Sequence, residues 1–118
     1  MLAPQMEENI LKVVNRWKSW SQLTEFAMLR HGYGISGVWE VRYPKDRAEC
    51  RFGSEIPENC VYIGGLWDLT GRFEYILPET AYLRILEKAL SERKLKKQAR
   101  SIAILRTELN TEKYSATR

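Results

Sequence analysis

The chain has no apolar run that approaches the ~20 residues needed to span a bilayer, so no membrane-spanning segment is expected. Its first residues show no basic segment followed by an apolar stretch, and export is therefore not indicated. Cysteine and histidine are scarce: the chain has only Cys50, Cys60 and His31. These three residues lack the paired spacing of a zinc module. These absences predict a cytoplasmic protein with free thiols, in a reducing compartment, and no structural zinc.

Large apolar side chains and cations are what the chain has in quantity. Four Trp, six Tyr and three Phe can close a core, and the hydrophobic fraction of 44% and charged fraction of 29% are typical of a globular protein. A length of 118 residues suits one domain. Nineteen Lys and Arg against fifteen Asp and Glu leave a net charge of +4. This balance favours an anionic partner.

Hydrophobic periodicity predicts two helices at the start of the chain. Apolar residues recur at three- and four-residue steps over residues 7–17, the period of a helix with one buried face. Ser19 and Gln22 have the spacing of a capping box, which places the start of a second helix there. That helix is expected to end near His31-Gly32, because glycine tolerates the left-handed turn that stops a helix.

The middle of the chain is predicted to form two strands followed by helices. Residues 38–43 and 60–63 are rich in β-branched and aromatic side chains, and Gly64-Gly65 is expected to stop the second strand. Apolar residues at positions 66, 69, 73 and 76 have helical spacing, which predicts a helix there. Pro78 is well placed to open the next helix.

The last third of the chain completes the expected fold. Residues 101–105 are short and apolar and predict a third strand, and a last helix is expected from Thr107 onward. The order of elements predicts an α/β (α+β) fold with a small mixed or antiparallel three-stranded sheet flanked by helices. An N-terminal helical segment, residues 1–31, is expected to pack on the domain of residues 32–118, as one domain overall.

Two short segments and the residues after them form a motif. Gly37-Val38-Trp39 lies in the first predicted strand and Tyr62-Ile63-Gly64 in the second, while Leu69 and Arg72 follow the tyrosine by seven and ten residues. This pattern resembles the GIY-YIG nuclease superfamily, in which a G-[IV]-Y strand pairs with a Y-[IV]-G strand and the sequence continues x4-L-x2-R. The resemblance covers roughly residues 36–114 and is to the homing and restriction-type branch.

The resemblance implies a divalent-metal-dependent DNA endonuclease. Phosphodiester hydrolysis needs a deprotonated nucleophile and positive charge around the phosphate. By the family pattern, Tyr62 is the general base or its helper and Arg72 contacts the phosphate. Glu112, with Glu108 as second choice, is the implied metal ligand. Mg²⁺ or Mn²⁺ is the implied cofactor, since Mg²⁺ accepts a lone carboxylate plus waters and substrate oxygens.

A second interpretation is a catalytically inactive module. Trp39 stands where the family has its first tyrosine, and an indole has no hydroxyl to move a proton. Gly65 stands where a lysine is often found. Tyr62 is then a core aromatic and Arg72 a solvated cation. Such a module, GIY-YIG-like or another small basic one, would bind nucleic acid, or a protein partner through the Trp-rich N-terminal helices.

A basic run lies near the predicted end of the penultimate helix. It has two explanations. The run is either a solvated helix end, where cations are favoured near the C-terminus, or a surface that binds the phosphates of nucleic acid, DNA rather than RNA. The second is preferred, because the charges cluster while the rest of the chain nearly balances. The six cations, set against Glu92 alone, are Lys88, Arg93, Lys94, Lys96, Lys97 and Arg100.

Overall fold

The structure, a computed structural model, describes residues 4–17, 19–35, 38–44, 56–66 and 71–116, and the side chains up to residue 109. These ranges contain four helices and one four-stranded antiparallel sheet, which confirms the α+β class. The helices are α1 (Pro4–Asn15), α2 (Trp20–Leu29), α3 (Glu79–Glu92) and α4 (Lys96–Ala116), and the strands are β1 (Tyr33–Ile35), β2 (Trp39–Arg42), β3 (Cys60–Leu66) and β4 (Arg72–Pro78).

The sheet is a meander in which each strand pairs with the next, in the order β1-β2-β3-β4. Successive side chains of a strand point to opposite faces. One face is the core face, on which Val41 of β2 lies opposite Ile63 of β3. The other, here called the outer face, carries Glu40, Tyr62 and Glu74. The register therefore decides which polar side chains of three strands can meet.

The helices cover the core face. Helix α1 packs on β2, β3 and α3, whereas α4 packs mainly on α3 and α2. Buried residues of all four helices and all four strands form one core, so the N-terminal helices belong to the same packed unit as the sheet. Among the described residues, no helix is long and apolar enough to cross a membrane.

The predicted start of α2 is confirmed and its end is two residues early. The Oγ atom of Ser19 accepts a hydrogen bond from the Gln22 backbone N–H at 3.2 Å, which satisfies one donor of the first turn. The helix ends at Leu29 rather than near His31-Gly32, because Arg30 itself adopts the left-handed conformation. Its guanidinium Nε lies 2.9 Å from Glu79 Oε2, an ion pair that holds this turn against the start of α3.

The helix predicted across residues 66–76 is wrong. The segment holds the end of β3 and most of β4, in which Phe73 and Leu77 are buried while Glu74 and Ile76 are exposed. That alternation has the period of two expected of a strand, and the helical spacing was coincidental. Nor does Gly64-Gly65 stop the second strand, since both glycines lie inside β3.

The predicted third strand, residues 101–105, is also wrong, because it lies inside α4. A short apolar run cannot be assigned to strand or buried helix by periodicity alone, and here Ile102 is fully buried in the helical layer. The sheet instead gains β1, which was not predicted, and β4. It therefore has four strands rather than three. Pro78 precedes α3 as expected.

Candidate functional site

The two residues that the motif singled out, Tyr62 and Arg72, lie in contact on the outer face of the sheet. The Arg72 Nη2 atom donates to the Tyr62 hydroxyl at 3.3 Å. That hydroxyl donates to Glu74 Oε2 at 2.6 Å, and Arg72 Nη2 lies 3.8 Å from the same oxygen. Arg72 reaches this position from the first residue of β4, not from a helix. We call these three residues, with Glu40 and Arg42, the outer-face cluster.

Glycine at position 64 allows the tyrosine to reach its partners. Gly64 follows Tyr62 by two residues, so both lie on the outer face, and Gly64 pairs with Glu74 on β4. A Cβ at Gly64 would lie 2.6 Å from the Tyr62 hydroxyl and 3.1 Å from the ring carbon that bears it. The phenol therefore lies across the glycine. The Y-I-G part of the motif has a structural explanation that needs no catalysis.

The environment of Tyr62 keeps its hydroxyl protonated. Burial raises the pKa of the phenol, and the hydrogen bond to Glu74 and the charge of that carboxylate raise it further, while Arg72 lowers it by less. The side chain is 3% exposed. A general base must accept a proton, whereas the Tyr62 hydroxyl is buried, protonated and itself a donor.

The charges of the outer-face cluster balance. Arg42 Nε lies 3.0 Å from Glu40 Oε1, and both side chains are buried, so each charge has a close partner. With Arg72 and Glu74 added, two cations face two anions. One donor remains, because the buried Nε of Arg72 has no hydrogen-bond partner among the described residues. No other buried side-chain atom of the cluster lacks a hydrogen-bond partner in the described part of the chain. An anionic oxygen would accept a hydrogen bond from this Nε.

Of the two predicted metal ligands, Glu108 is not brought to Tyr62. Glu108 is exposed on α4, in the helical layer, whereas Tyr62 faces away from that layer. Glu112 belongs to the part of α4 whose side chains are not described. Glu74 is the carboxylate that meets Tyr62 and Arg72, and it alone, with waters and substrate oxygens, is a donor set that Mg²⁺ accepts. In the ranges that the structure describes, no three metal-ligating side chains come together.

Two of the six predicted nucleic-acid contacts are engaged within the protein. Arg93 lies over the ring of Trp20, 4.2 Å from its centroid, and its Nη2 donates to Asn15 Oδ1 at 2.6 Å. Lys88 Nζ lies 3.3 Å from Glu7 Oε1. These contacts join α3 to α1 and to the start of α2.

The other four cations, Lys94, Lys96, Lys97 and Arg100, are exposed around the turn between α3 and α4. None of their side chains makes a hydrogen bond or ion pair with a described residue. Lys94 connects the two helices, Lys96 and Lys97 open α4, and Arg100 lies one turn further on. We call Lys94, Lys96 and Lys97 the basic turn.

The basic turn departs from two local rules. Helix α4 carries lysines in its first turn and no acid, although the positive end of a helix dipole disfavours cations. Lys94 has φ 60°, in the left-handed region that favours glycine. Lys94 N–H donates to Ser91 O, and Leu95 N–H donates to Leu90 O, both at 3.0 Å, the two bonds of a Schellman motif. The solvated C-terminal helix end considered from the sequence therefore does not explain the two lysines of α4.

Sequence reasoning missed Glu74, Glu40 and Arg42. Their signal was two-residue spacing on strands, and for Glu74 it was hidden because its segment was assigned to a helix. Gly37, Leu69 and Cys50 lie outside the described residues. Comparisons of the chain with protein-family models, with curated proteins and with solved structures find no match.

Proposed function

We propose that this protein binds nucleic acid through the basic turn, with the phosphate backbone as its ligand. The observation that carries the proposal is the placement of Lys96 and Lys97 at the positive end of α4, with no ion pair to a residue that the structure describes. The repulsion between these lysines and the positive end of the helix raises the free energy of the protein on its own. A bound anion would be attracted by both the lysines and the helix end, so that the arrangement becomes favourable. Lys94, in a glycine-favouring conformation, adds a third cation at the same place.

Backbone groups add to the attraction at this end of the helical layer. Leu95 O accepts the first helical bond of α4, from Ala99 N–H at 3.0 Å, so the preceding N–H groups have no helical partner. The start of α2, which also lacks an acid in its first turn, lies beside them, since Gln98 Nε2 donates to Ser21 Oγ at 3.5 Å. Two helix N-termini and three lysines favour a chain of phosphates rather than a neutral ligand.

Fluorescence anisotropy with a labelled DNA duplex, at a series of salt concentrations, tests the proposal. Each lost phosphate contact should reduce the slope of log K against log salt by about 0.9, so the triple variant K94Q/K96Q/K97Q should lose about 2 to 3 from it. The control K12Q/R84Q removes exposed cations of α1 and α3 and should leave the slope unchanged. Equal slopes for the wild type and the triple variant would contradict the proposal, as would the absence of binding at low salt.

A second candidate function, metal-dependent phosphodiester hydrolysis, is favoured by the convergence of Tyr62 and Arg72. Here the Arg72 Nε, which has no hydrogen-bond partner among the described residues, would donate to a phosphate oxygen. The exposed part of Glu74 would hold Mg²⁺ or Mn²⁺, which would supply Lewis acidity. A phosphate bound at Arg72 would compete for the guanidinium and free the Tyr62 hydroxyl to orient water. This candidate uses Glu74 in place of Glu108 and Glu112.

Incubation of plasmid with the protein and Mg²⁺ or Mn²⁺ tests the second candidate. Nicking should require the metal and be lost in R72A, while R84A, which removes an exposed arginine of α3, should cleave as the wild type does. Circular dichroism of R72A checks that the sheet remains folded. Intact plasmid with the wild type, or nicking that persists in folded R72A, would count against hydrolysis without affecting the binding proposal.

A further inference from the structure

Helix α4 has an outward face with an apolar centre. Ile102 is fully buried against the rest of the protein, whereas Ile104 is 50% exposed on the other side of the helix. A shallow open groove of about 270 Å³ runs along that side. Its lining residues are Arg100, Ala103, Ile104, Thr107 and Glu108. An exposed isoleucine in a groove that the smaller Ala103 and Thr107 also line favours the close approach of another helix.

The charges of this face are antisymmetric about Ile104. Arg100 precedes it by four residues and Glu108 follows it by four, so each lies about 6 Å from it along the helix axis. In an antiparallel pair of α4 helices crossing at Ile104, Arg100 of one copy lies against Glu108 of the other, twice. A parallel pair would instead place like charges together. The surface is therefore complementary to itself in one orientation only.

The hydroxyls near the crossing point are satisfied within the helix. Ser101 Oγ donates to Lys97 O at 3.1 Å, and Thr107 Oγ1 donates to Ala103 O at 3.0 Å. Burying these side chains under a partner helix would leave no unpaired hydroxyl proton, so the usual desolvation cost of a polar side chain is small here.

We propose that the outward face of α4 docks on the same face of a second copy of this chain, as an antiparallel pair with its two-fold axis at Ile104. Rows of residues at four-residue intervals, such as Arg100, Ile104 and Glu108, interdigitate in the commonest class of helix packing. Charge complementarity selects the second copy as the partner, since the row offers a cation and an anion at equal distances from its apolar centre.

The pair would set the distance between two basic turns. Lys96 lies eight residues before Ile104, so the Lys96 positions of the two copies are separated by about 24 Å along the paired helices. Such a pair would present two basic turns to one nucleic acid. The docking itself does not depend on the proposed function, because it is measured without nucleic acid.

Sedimentation equilibrium of the full chain over a range of protein concentrations tests the docking. The wild type should dimerise, and R100E or E108R should each weaken the dimer by at least about tenfold, because two attractive pairs become two repulsive ones. The double variant R100E/E108R restores opposite charges across the axis and should recover dimerisation.

Two further variants separate docking from general effects of charge or folding. I104D places a charge at the crossing point and should give monomers, whereas R84E changes an exposed cation on α3 and should dimerise like the wild type. Circular dichroism of each variant confirms the helical content. A wild type that is monomeric at every concentration, or a double variant no better than the two single ones, would overturn the proposal.

Discussion

The hydroxyl oxygen of Tyr62 lies 2.6 Å from the point at which a side chain at Gly64 would begin. The phenol crosses the glycine to reach Glu74 on the next strand, and the three residues form one unit across β3 and β4. Tyrosine and glycine two residues apart on one strand thus encode a contact with a third residue. A residue larger than glycine at position 64 would therefore collide with the phenol.

Substitution of Gly64 by alanine should destabilise the protein. The added methyl group would force the phenol away from Glu74, with a cost typical of overpacking, about 1 to 3 kcal/mol in the free energy of unfolding. Urea denaturation followed by circular dichroism measures the effect.

The variant Y62F provides the matched background for this test. Phenylalanine removes the hydroxyl, the atom closest to the added methyl group, so G64A should cost at least 1 kcal/mol less in Y62F than in the wild type, by the usual size of couplings between contacting residues. Additive effects of the two substitutions would show that the phenol does not lie across the glycine.

Substitution of Lys94 by glycine should stabilise the protein while weakening its binding to DNA. A residue other than glycine at φ 60° costs about 1 to 2 kcal/mol, and K94G removes this strain. Because glycine loses more entropy on folding, part of the benefit is offset, and K94G should be more stable than the wild type by about 0.5 to 1 kcal/mol. Arg30 is the control, because it shares the conformation but pairs with Glu79, so R30G should give no gain. A K94G variant that is less stable than the wild type would contradict the assignment of this lysine to binding.

The sequence predicted those elements whose signal is local. Ser19 capped α2 as its spacing indicated, and Pro78 preceded α3. Residues 60–63 were rightly assigned to a strand because their β-branched and aromatic content is a local preference. For these, a few neighbouring residues contain most of the information.

The parts that could not be predicted depend on contacts between distant segments. Phe73 and Ile76 gave helical spacing by coincidence, and only pairing with β3 makes that segment a strand. Tyr62 and Arg72 were paired by motif and do meet, but through a sheet register that the sequence does not reveal. Glu74 was missed for the same reason.

The stability of the protein should fall steeply above about pH 10, the ordinary pKa of tyrosine. Tyr33 and Tyr82 are buried in the core with their hydroxyls 3.0 Å apart. Burial raises the pKa of Tyr82 to about 12 and raises that of Tyr33 well above its ordinary value. The unfolded chain therefore loses these two protons before the folded protein does.

The sign of the effect follows from proton counts. Stability from this pair is fully present below about pH 10 and is lost as the pH rises through 12, at up to about 3 kcal/mol per pH unit for two tyrosines. Urea unfolding at a series of alkaline pH values measures the slope. The double variant Y33F/Y82F removes both hydroxyls and should reduce the slope, with Tyr62 as a remaining source. An unchanged slope in that variant would exclude the pair as a source.

Arg93 should prove structural, in contrast to its neighbours in the basic turn. R93A loses the contact with the Trp20 ring and the hydrogen bond to Asn15, and we expect a loss of about 1 to 2 kcal/mol in the free energy of unfolding. R93K retains the charge but not the planar guanidinium, so its stability should lie between R93A and the wild type, with DNA binding unchanged. K97A should behave in the reverse way, with stability at least equal to that of the wild type and weaker binding. If R93A were as stable as K97A and bound DNA as weakly, Arg93 would belong to the phosphate-binding surface and the contact with Trp20 would carry no energy.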